Sequence, residues 1–344
     1  MNMGRIDIRG RTNVRHSVQS ARNNHLFRAA PVARGKGRAY HLVLPAVEPS
    51  KPGTLWEKTK HENLDEALDI LRGVVSSRKI SDYASLISSL HAEYNIDDII
   101  QFSHAWQCWE ALPDVLRGLK SFETLRLGQI LPLDQQLFRG THQESRAYQD
   151  GIERLANYHA ANVEMWLRPF LPSNRTRTLL DLGAGPGVYA RLLVDSQIAI
   201  KATCVDFEPA VRRGQITASK CIEWIAQDLF ELSLAEDASY DVVYIGNVFH
   251  HYSLDDNVRY LNRIANNLSP GAVIIVQDYL LAKEPRHSPL YAAILGVHFA
   301  LTSTAGRCYT RDEISMVIGE ALPKAAFQSQ HHLDSSDLLL YRCD

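Results

Sequence analysis

The stretch Asp181-Leu182-Gly183-Ala184-Gly185-Pro186-Gly187 joins an apolar run at 179–182 to a helix-forming run at 188–194. Glycine lets a chain turn tightly and lets a ligand come close to the backbone. The spacing is Gly-x-Gly-x-Gly, not the Gly-x-Gly-x-x-Gly that aims a helix N-terminus at a pyrophosphate. Pro186 removes one N–H donor and Asp181 adds negative charge. A cationic ligand suits that turn better, such as a sulfonium with an amino-acid tail. Asp206 follows about 20 residues on, where an acid can take both hydroxyls of a ribose. Asp228, in Gln227-Asp228-Leu229-Phe230, can accept from an adenine amino group while Leu229 or Phe230 covers the ring. Together these residues point to an adenosyl ligand, although each alone is also what an ordinary turn glycine or loop acid looks like.

His250 and His251 are adjacent, and His298 falls in an apolar helical run at 291–301. An imidazole with a pKa of about 6.5 is a suitable base for a weakly acidic proton at neutral pH. Two adjacent imidazoles and a third from a facing helix are also the donor set of a divalent-metal site, iron or zinc, since imidazole serves both. The plainer reading of His251 is a capping or surface residue, and of His298 a core histidine bonded to a carbonyl. Arg139, in Leu137-Phe138-Arg139-Gly140, either clamps a substrate carboxylate bidentately or is a surface arginine. Trp109 either walls an acceptor pocket or fills the core. Asp255 and Asp256 read as caps of a helix at 257–268.

These residues need elements to hold them. Helical spacing begins after Pro52, with Leu64, Leu68, Leu71 and Val75 on one face. It recurs up to a long helix at 143–170, whose face carries Ile152, Leu155, His159, Val163 and Trp166. At Thr178 the pattern changes to short apolar runs alternating with helical stretches, the signature of βαβ units and a parallel sheet. Strands are expected at 178–182, 201–206, 223–226, 240–246 and 272–279, with a closing hairpin at 326–333 and 337–342. The glycine turn, Asp206, Asp228 and the histidine pair then each follow a strand end.

From residue 179 onward the chain resembles class I S-adenosylmethionine (SAM)-dependent methyltransferases, and more narrowly the O-methyltransferase-like group with an N-terminal helical dimerisation domain. Besides the glycine turn, the resemblance rests on Trp109-Glu110-Ala111-Leu112-Pro113, Asn247-Val248-Phe249-His250 and Gly306-Arg307-Cys308-Tyr309-Thr310. It implies an α/β fold: a Rossmann-like seven-stranded sheet behind an all-helical N-terminal domain, in a homodimer acting on a small molecule. SAM would lie on Asp181, Gly183, Gly185 and Gly187, on Asp206 and Phe207, on Asp228, Leu229 and Phe230, and on Asn247. Many members carry His-Asp-Trp where this chain has His250-His251-Tyr252, and use the first histidine to take a phenolic proton. The segment around His298 lines their acceptor pocket.

One branch that looks similar at these positions methylates 2-oxo acids at the β-carbon with the help of a metal. There His250, His251 and His298 would hold iron or zinc, and the Lewis acid would stabilise an enolate. C-methylation of a 2-oxo acid that becomes a β-methyl amino acid in a natural product is the leading expectation. The acidic body tilts the choice faintly towards 5-guanidino-2-oxopentanoate. The second expectation is a metal-free O-methyltransferase with His250 as base, and the third a SAM-binding protein without turnover.

The 344 residues divide into a basic leader over 1–54, a helical domain over 55–170 and a SAM-binding domain over 171–344. Residues 1–40 hold nine bases against one acid, leaving 28 bases and 38 acids for the rest. Such an acidic body is a poor match for a phosphate backbone, so no nucleic-acid partner is expected. No run reaches the roughly 18 apolar residues of a membrane span, so no membrane partner is expected either. Five scattered cysteines with no Cys-x-x-Cys pair fit reduced thiols and a cytoplasmic location.

Overall fold

The computed structural model describes residues 63–71, 73–74, 143–171, 177–216, 219–302 and 305–344. Leu179, Leu180 and Leu182 are all fully buried, a run without polar alternation that only a strand covered on both faces can hold. They form β1 (Thr178–Leu182), which pairs in parallel with β2 (Lys201–Asp206) and with β4 (Tyr240–Gly246). β3 (Ile222–Ala226) extends the sheet beyond β2, and β5 (Leu268–Asp278) extends it beyond β4. The chain then reverses: β9 (Asp337–Cys343) lies antiparallel between β5 and β8 (Ala325–His332). The resulting order, β3-β2-β1-β4-β5-β9-β8, is the expected seven-stranded, Rossmann-like methyltransferase sheet. Two short strands, β6 (Leu280–Leu281) and β7 (Tyr309–Thr310), pair apart from it.

Alternate residues of the strands feed two cores. Leu180, Leu182, Val243, Ile245, Ile274 and Val276 face one, while Leu179, Val242, Tyr244, Val273 and Ile275 face the other. Each such side chain contributes roughly 1.5–3 kcal/mol on burial. Val243→Asp would break the arrangement by placing an unpaired charge between strands.

Before β1 the described regular structure is helical, comprising 63–71 and α1 (Gln143–Leu167). α1 packs on α2 (Val188–Asp195) and α3 (Glu208–Gln215). Its far end meets the β8–β9 hairpin, where the Tyr158 hydroxyl donates to Asp334 at 2.7 Å and Trp166 stacks on His331. Among the described residues the remaining α-helices are α4 (Leu254–Asn262), α5 (Leu290–Thr302) and α6 (Arg311–Ala321). No helix among the described residues is long and apolar enough to cross a membrane.

Two local expectations change. The helix expected at 257–268 begins instead at Leu254, because the Ser253 hydroxyl accepts from the Asp256 N–H at 3.1 Å. Asp255 and Asp256 therefore sit inside the first turn, favourable to its dipole, and Ser253 is the cap. β5 starts at Leu268, four residues before the expected strand, after a single 3₁₀ turn at Ala265–Asn267. α6 was not anticipated, although Thr310-Arg311-Asp312-Glu313 is a capping box and both of its reciprocal hydrogen bonds are present.

Candidate active site

All the candidate residues within the described chain gather at the carboxyl ends of the parallel strands, where open α/β sheets bind ligands. β1 runs directly into the glycine turn. Gly183, Gly185 and Gly187 have φ of 67°, 53° and 73°, the left-handed region that costs glycine nothing. A Cβ on Gly183 would lie 2.4 Å from Val248, and one on Gly187 would lie 2.5 Å from the Trp224 ring. The glycines are thus required by the protein's own packing at two positions, and not only by the approach of a ligand. The turn is held from β2 as well: the Gly183 and Ala184 N–H groups donate to the Val205 carbonyl at 2.9 and 3.1 Å.

Asp206 closes β2 and accepts from the Gly185 N–H at 2.7 Å and the Phe207 N–H at 2.6 Å. Both its oxygens fix backbone and keep lone pairs for a further donor. Asp181 is buried at the foot of the turn, and its Oδ2 has no hydrogen-bond partner. Burial, and then the neighbouring Asp206, push the Asp181 carboxyl up to about 8. Burial pushes Asp206 up to about 6, against the two N–H donors that favour its charged form. Asn247, in the left-handed region at φ 58°, leaves its side-chain oxygen buried without a partner. One buried carboxyl, one half-buried carboxyl and an orphaned amide oxygen form a set of acceptors that a cationic, hydroxyl-bearing ligand would satisfy. By this test the site fits SAM.

After β3, Asp228 accepts from the Phe230 N–H at 3.1 Å. Leu229 is turned into the core, while Phe230 is partly buried at its border, edge-on to Tyr252 with Arg259 over its ring.

The histidine pair occupies a 3₁₀ turn, Phe249–His251, directly after β4. His250 Nδ1 lies 2.7 Å from Asp278 Oδ1, and both side chains are at most 4% exposed. Asp278 ends β5 and is itself fixed by the His250 N–H at 3.2 Å and the Tyr279 N–H at 2.7 Å. Sequence reading missed Asp278, although an acid closing an otherwise apolar strand is the same signal that marked Asp206. It also missed Phe299, whose ring stacks on His250 with centroids 3.8 Å apart. Tyr279 packs against both rings. Tyr309, from the Gly-Arg-Cys-Tyr-Thr segment, donates its hydroxyl to the Tyr252 carbonyl and so pins the end of the histidine turn.

The structure does bring His250, His251 and His298 together. Burial, His250 and His298 hold His251 well below the ordinary imidazole range, and burial with His250 lowers His298 to about 4. The expected metal site is not supported, however: among the described residues no three His, Cys, Asp or Glu side chains are arranged to hold a metal ion. His250 turns Nδ1 to a carboxylate and one ring face to Phe299. Arg139 and Trp109 lie outside the described residues.

Residues 180–276 match the family model described as methyltransferase domain. The chain is 25% identical over 201 residues to the mitomycin biosynthesis 6-O-methyltransferase of Streptomyces lavendulae, covering 55% of this chain and 53% of that one. It is 27% identical over 150 residues to the tetracenomycin polyketide synthesis 8-O-methyl transferase of Streptomyces glaucescens, covering 42% and 43%. The chain thus spans about half the length of the curated relatives it matches. Among solved structures, human N-acetylserotonin methyltransferase in complex with SAM superposes with a TM-score of 0.56 at 19% identity, covering 70% of this chain and 67% of that one.

Proposed function

We propose that this chain, whose residues 180–276 match a methyltransferase domain, is a class I SAM-dependent methyltransferase of the O-methyltransferase-like kind, and that it methylates an oxygen of a small-molecule acceptor with His250 as general base. The observation that carries this reading is the buried His250–Asp278 pair, set at the strand ends beside the glycine turn. Asp278 accepts the Nδ1 proton, which fixes the tautomer and leaves Nε2 as the atom able to take a proton. A carboxylate behind the ring also stabilises the imidazolium that forms.

Bound SAM supplies a methyl group on a cationic sulfonium. The chain's own residues do the rest. Asp206 offers its remaining lone pairs to the ribose hydroxyls, while Asp228 and Phe230 receive the adenine. Asp181 and Asn247 present acceptors to the positive end. His250 removes the hydroxyl proton as the oxygen attacks, and the buried aromatic wall of Phe299 and Tyr279 excludes water from that oxygen. The same wall favours a flat, aromatic acceptor.

The reading of β-carbon methylation of a 2-oxo acid keeps one observation in its favour, the closeness of three imidazoles. Among the described residues no three such side chains are grouped to hold an ion, so no step is assigned to a metal. The first test is direct. The purified chain is given SAM and a panel of phenols and 2-oxo acids, and the methylated product is located by mass spectrometry and NMR. Product on oxygen, lost in His250→Ala, supports the reading. Product on the β-carbon, dependent on added iron or zinc, overturns it. We also propose a cytoplasmic homodimer joined through its helical N-terminal region, which light scattering of the full chain and of a chain lacking residues 1–142 would check.

A further inference from the structure

We propose that Glu153, on α1, is a positioning residue for the glycine turn, and that through Arg191 it ties SAM affinity to the seating of α1. This rests on the reading that the turn binds SAM. A glycine turn has almost no side chains with which to hold its own shape, so its conformation is set by what grips its peptide groups. Asp206 grips one side through the Gly185 N–H. On the other side the Pro186 carbonyl accepts from Arg191 Nη1 at 2.5 Å. That carbonyl shares a rigid peptide plane with the Gly187 N–H, which donates to the Ala184 carbonyl at 2.8 Å. Orienting Pro186 therefore orients the last peptide of the turn.

An arginine alone is a long and mobile clamp. Here its Nη2 is held by Glu153 Oε1 at 3.2 Å, while Glu153 Oε2 holds Arg213 Nη2 at 2.6 Å. The side chains of Glu153 and Arg191 are only 17% and 18% exposed, so solvent screens their charges weakly. One turn back on α1, Asp150 pairs with Arg213 Nε at 3.0 Å but not with Arg191. Ile152 of the same helix lies 3.6 Å from where a Cβ on Gly185 would stand. The helix that leads into the SAM-binding domain thus touches the turn twice, once by packing and once through a charged relay. A shift of α1 would be felt at the turn before any ligand is touched.

The test is calorimetric titration of SAM and of its demethylated product, S-adenosylhomocysteine, into four full-length chains: parent, Glu153→Gln, Arg191→Lys and Asp150→Asn. Thermal midpoints confirm folding. Because both ligands share the parts held by the turn, Glu153→Gln should raise both Kd values about tenfold. Arg191→Lys keeps the charge but cannot bridge Pro186 and Glu153 together, and should do the same. Asp150→Asn removes the other carboxylate on Arg213 while leaving the Glu153–Arg191–Pro186 contacts in place, and should change neither Kd by more than about twofold. The double variant Glu153→Gln/Arg191→Lys should be no worse than either single one, as for two links of one relay. Equal losses in Asp150→Asn and Glu153→Gln would reduce Glu153 to general helix docking and overturn the proposal. Weakened SAM with unchanged S-adenosylhomocysteine would overturn it in favour of a field effect on the sulfonium. So would unchanged binding in a folded Glu153→Gln. A parent that binds neither ligand overturns the SAM reading itself, and the proposal with it.

Discussion

The two halves of the site solve opposite electrostatic problems. Around the glycine turn, desolvation pushes carboxyls up, Asp181 to about 8 and Asp206 to about 6, so the site resists carrying negative charge. Around the histidine turn, desolvation pushes imidazoles down, His298 to about 4 and His251 well below its ordinary range. On the proposed function, one half gains from an arriving cation. In the other, His250 has a carboxylate behind its ring. Burial drives both sets of shifts, and the identity of the buried group decides the sign.

The comparison breaks most sharply at the turn. Gly183→Ala should weaken SAM binding more than a hundredfold in calorimetry, since its Cβ would collide with Val248 at 2.4 Å. Gly271 has φ 76° but nothing within 4 Å of a built Cβ, so Gly271→Ala should cost only the strain of about 1 kcal/mol and leave SAM binding intact. On the acceptor side, His250→Ala should lower kcat by about 10²–10⁴-fold with SAM affinity within about twofold of parent, read by steady-state kinetics beside titration. Asp278→Asn should follow with a smaller loss, roughly ten- to a hundredfold, because the imidazole survives without its orienting partner.

The pH dependence sharpens the contrast. Carboxyls raised in the folded state bind protons that the unfolded chain has already lost, so they erode stability as pH climbs from about 4 to 8. Imidazoles lowered in the folded state do the reverse, eroding stability as pH falls from about 6.5 to 4. Between about 4 and 6.5 the two tendencies oppose each other. The ligand-free thermal midpoint should be nearly flat there and fall by pH 8, and saturating SAM should reverse the fall. At pH 7, SAM binding should release about one proton, which titration in two buffers of different ionisation enthalpy would measure; zero release would show that Asp181 is already ionised. The smallest effect belongs to Asp228→Asn, a loss of about two- to fivefold in SAM affinity.

The same division governed what the sequence disclosed. The cofactor half is read from continuous stretches, because each strand delivers its turn or its acid at once: Gly183 to Gly187 after β1, Asp206 at the end of β2, Asp228 just past β3. The sheet was legible for the same reason, since burial on both faces writes itself as unbroken apolar runs. The acceptor half is assembled from side chains nearly 60 residues apart, with His250 on one turn, Asp278 on the next strand, Phe299 on α5 and Tyr309 on β7. Residue type alone made His250, His251 and His298 look like a ligand set. Among the described residues, however, no group of three such side chains is arranged to hold a metal ion. The relay from Glu153 was equally hidden, for nothing in the sequence says which arginine meets the Pro186 carbonyl.

The place of β9 carries a consequence for how the chain must assemble. β9 sits between β5 and β8, so β8, which is synthesised first, has no place in the sheet until the strand made after it arrives. A waiting strand is an invitation to mispair. β8 carries Gln328, Gln330, His331 and His332, whereas β9 carries the fully buried run Leu338 to Leu340. The order of synthesis leaves the polar strand idle, and the adhesive one emerges only when both of its neighbours are already present.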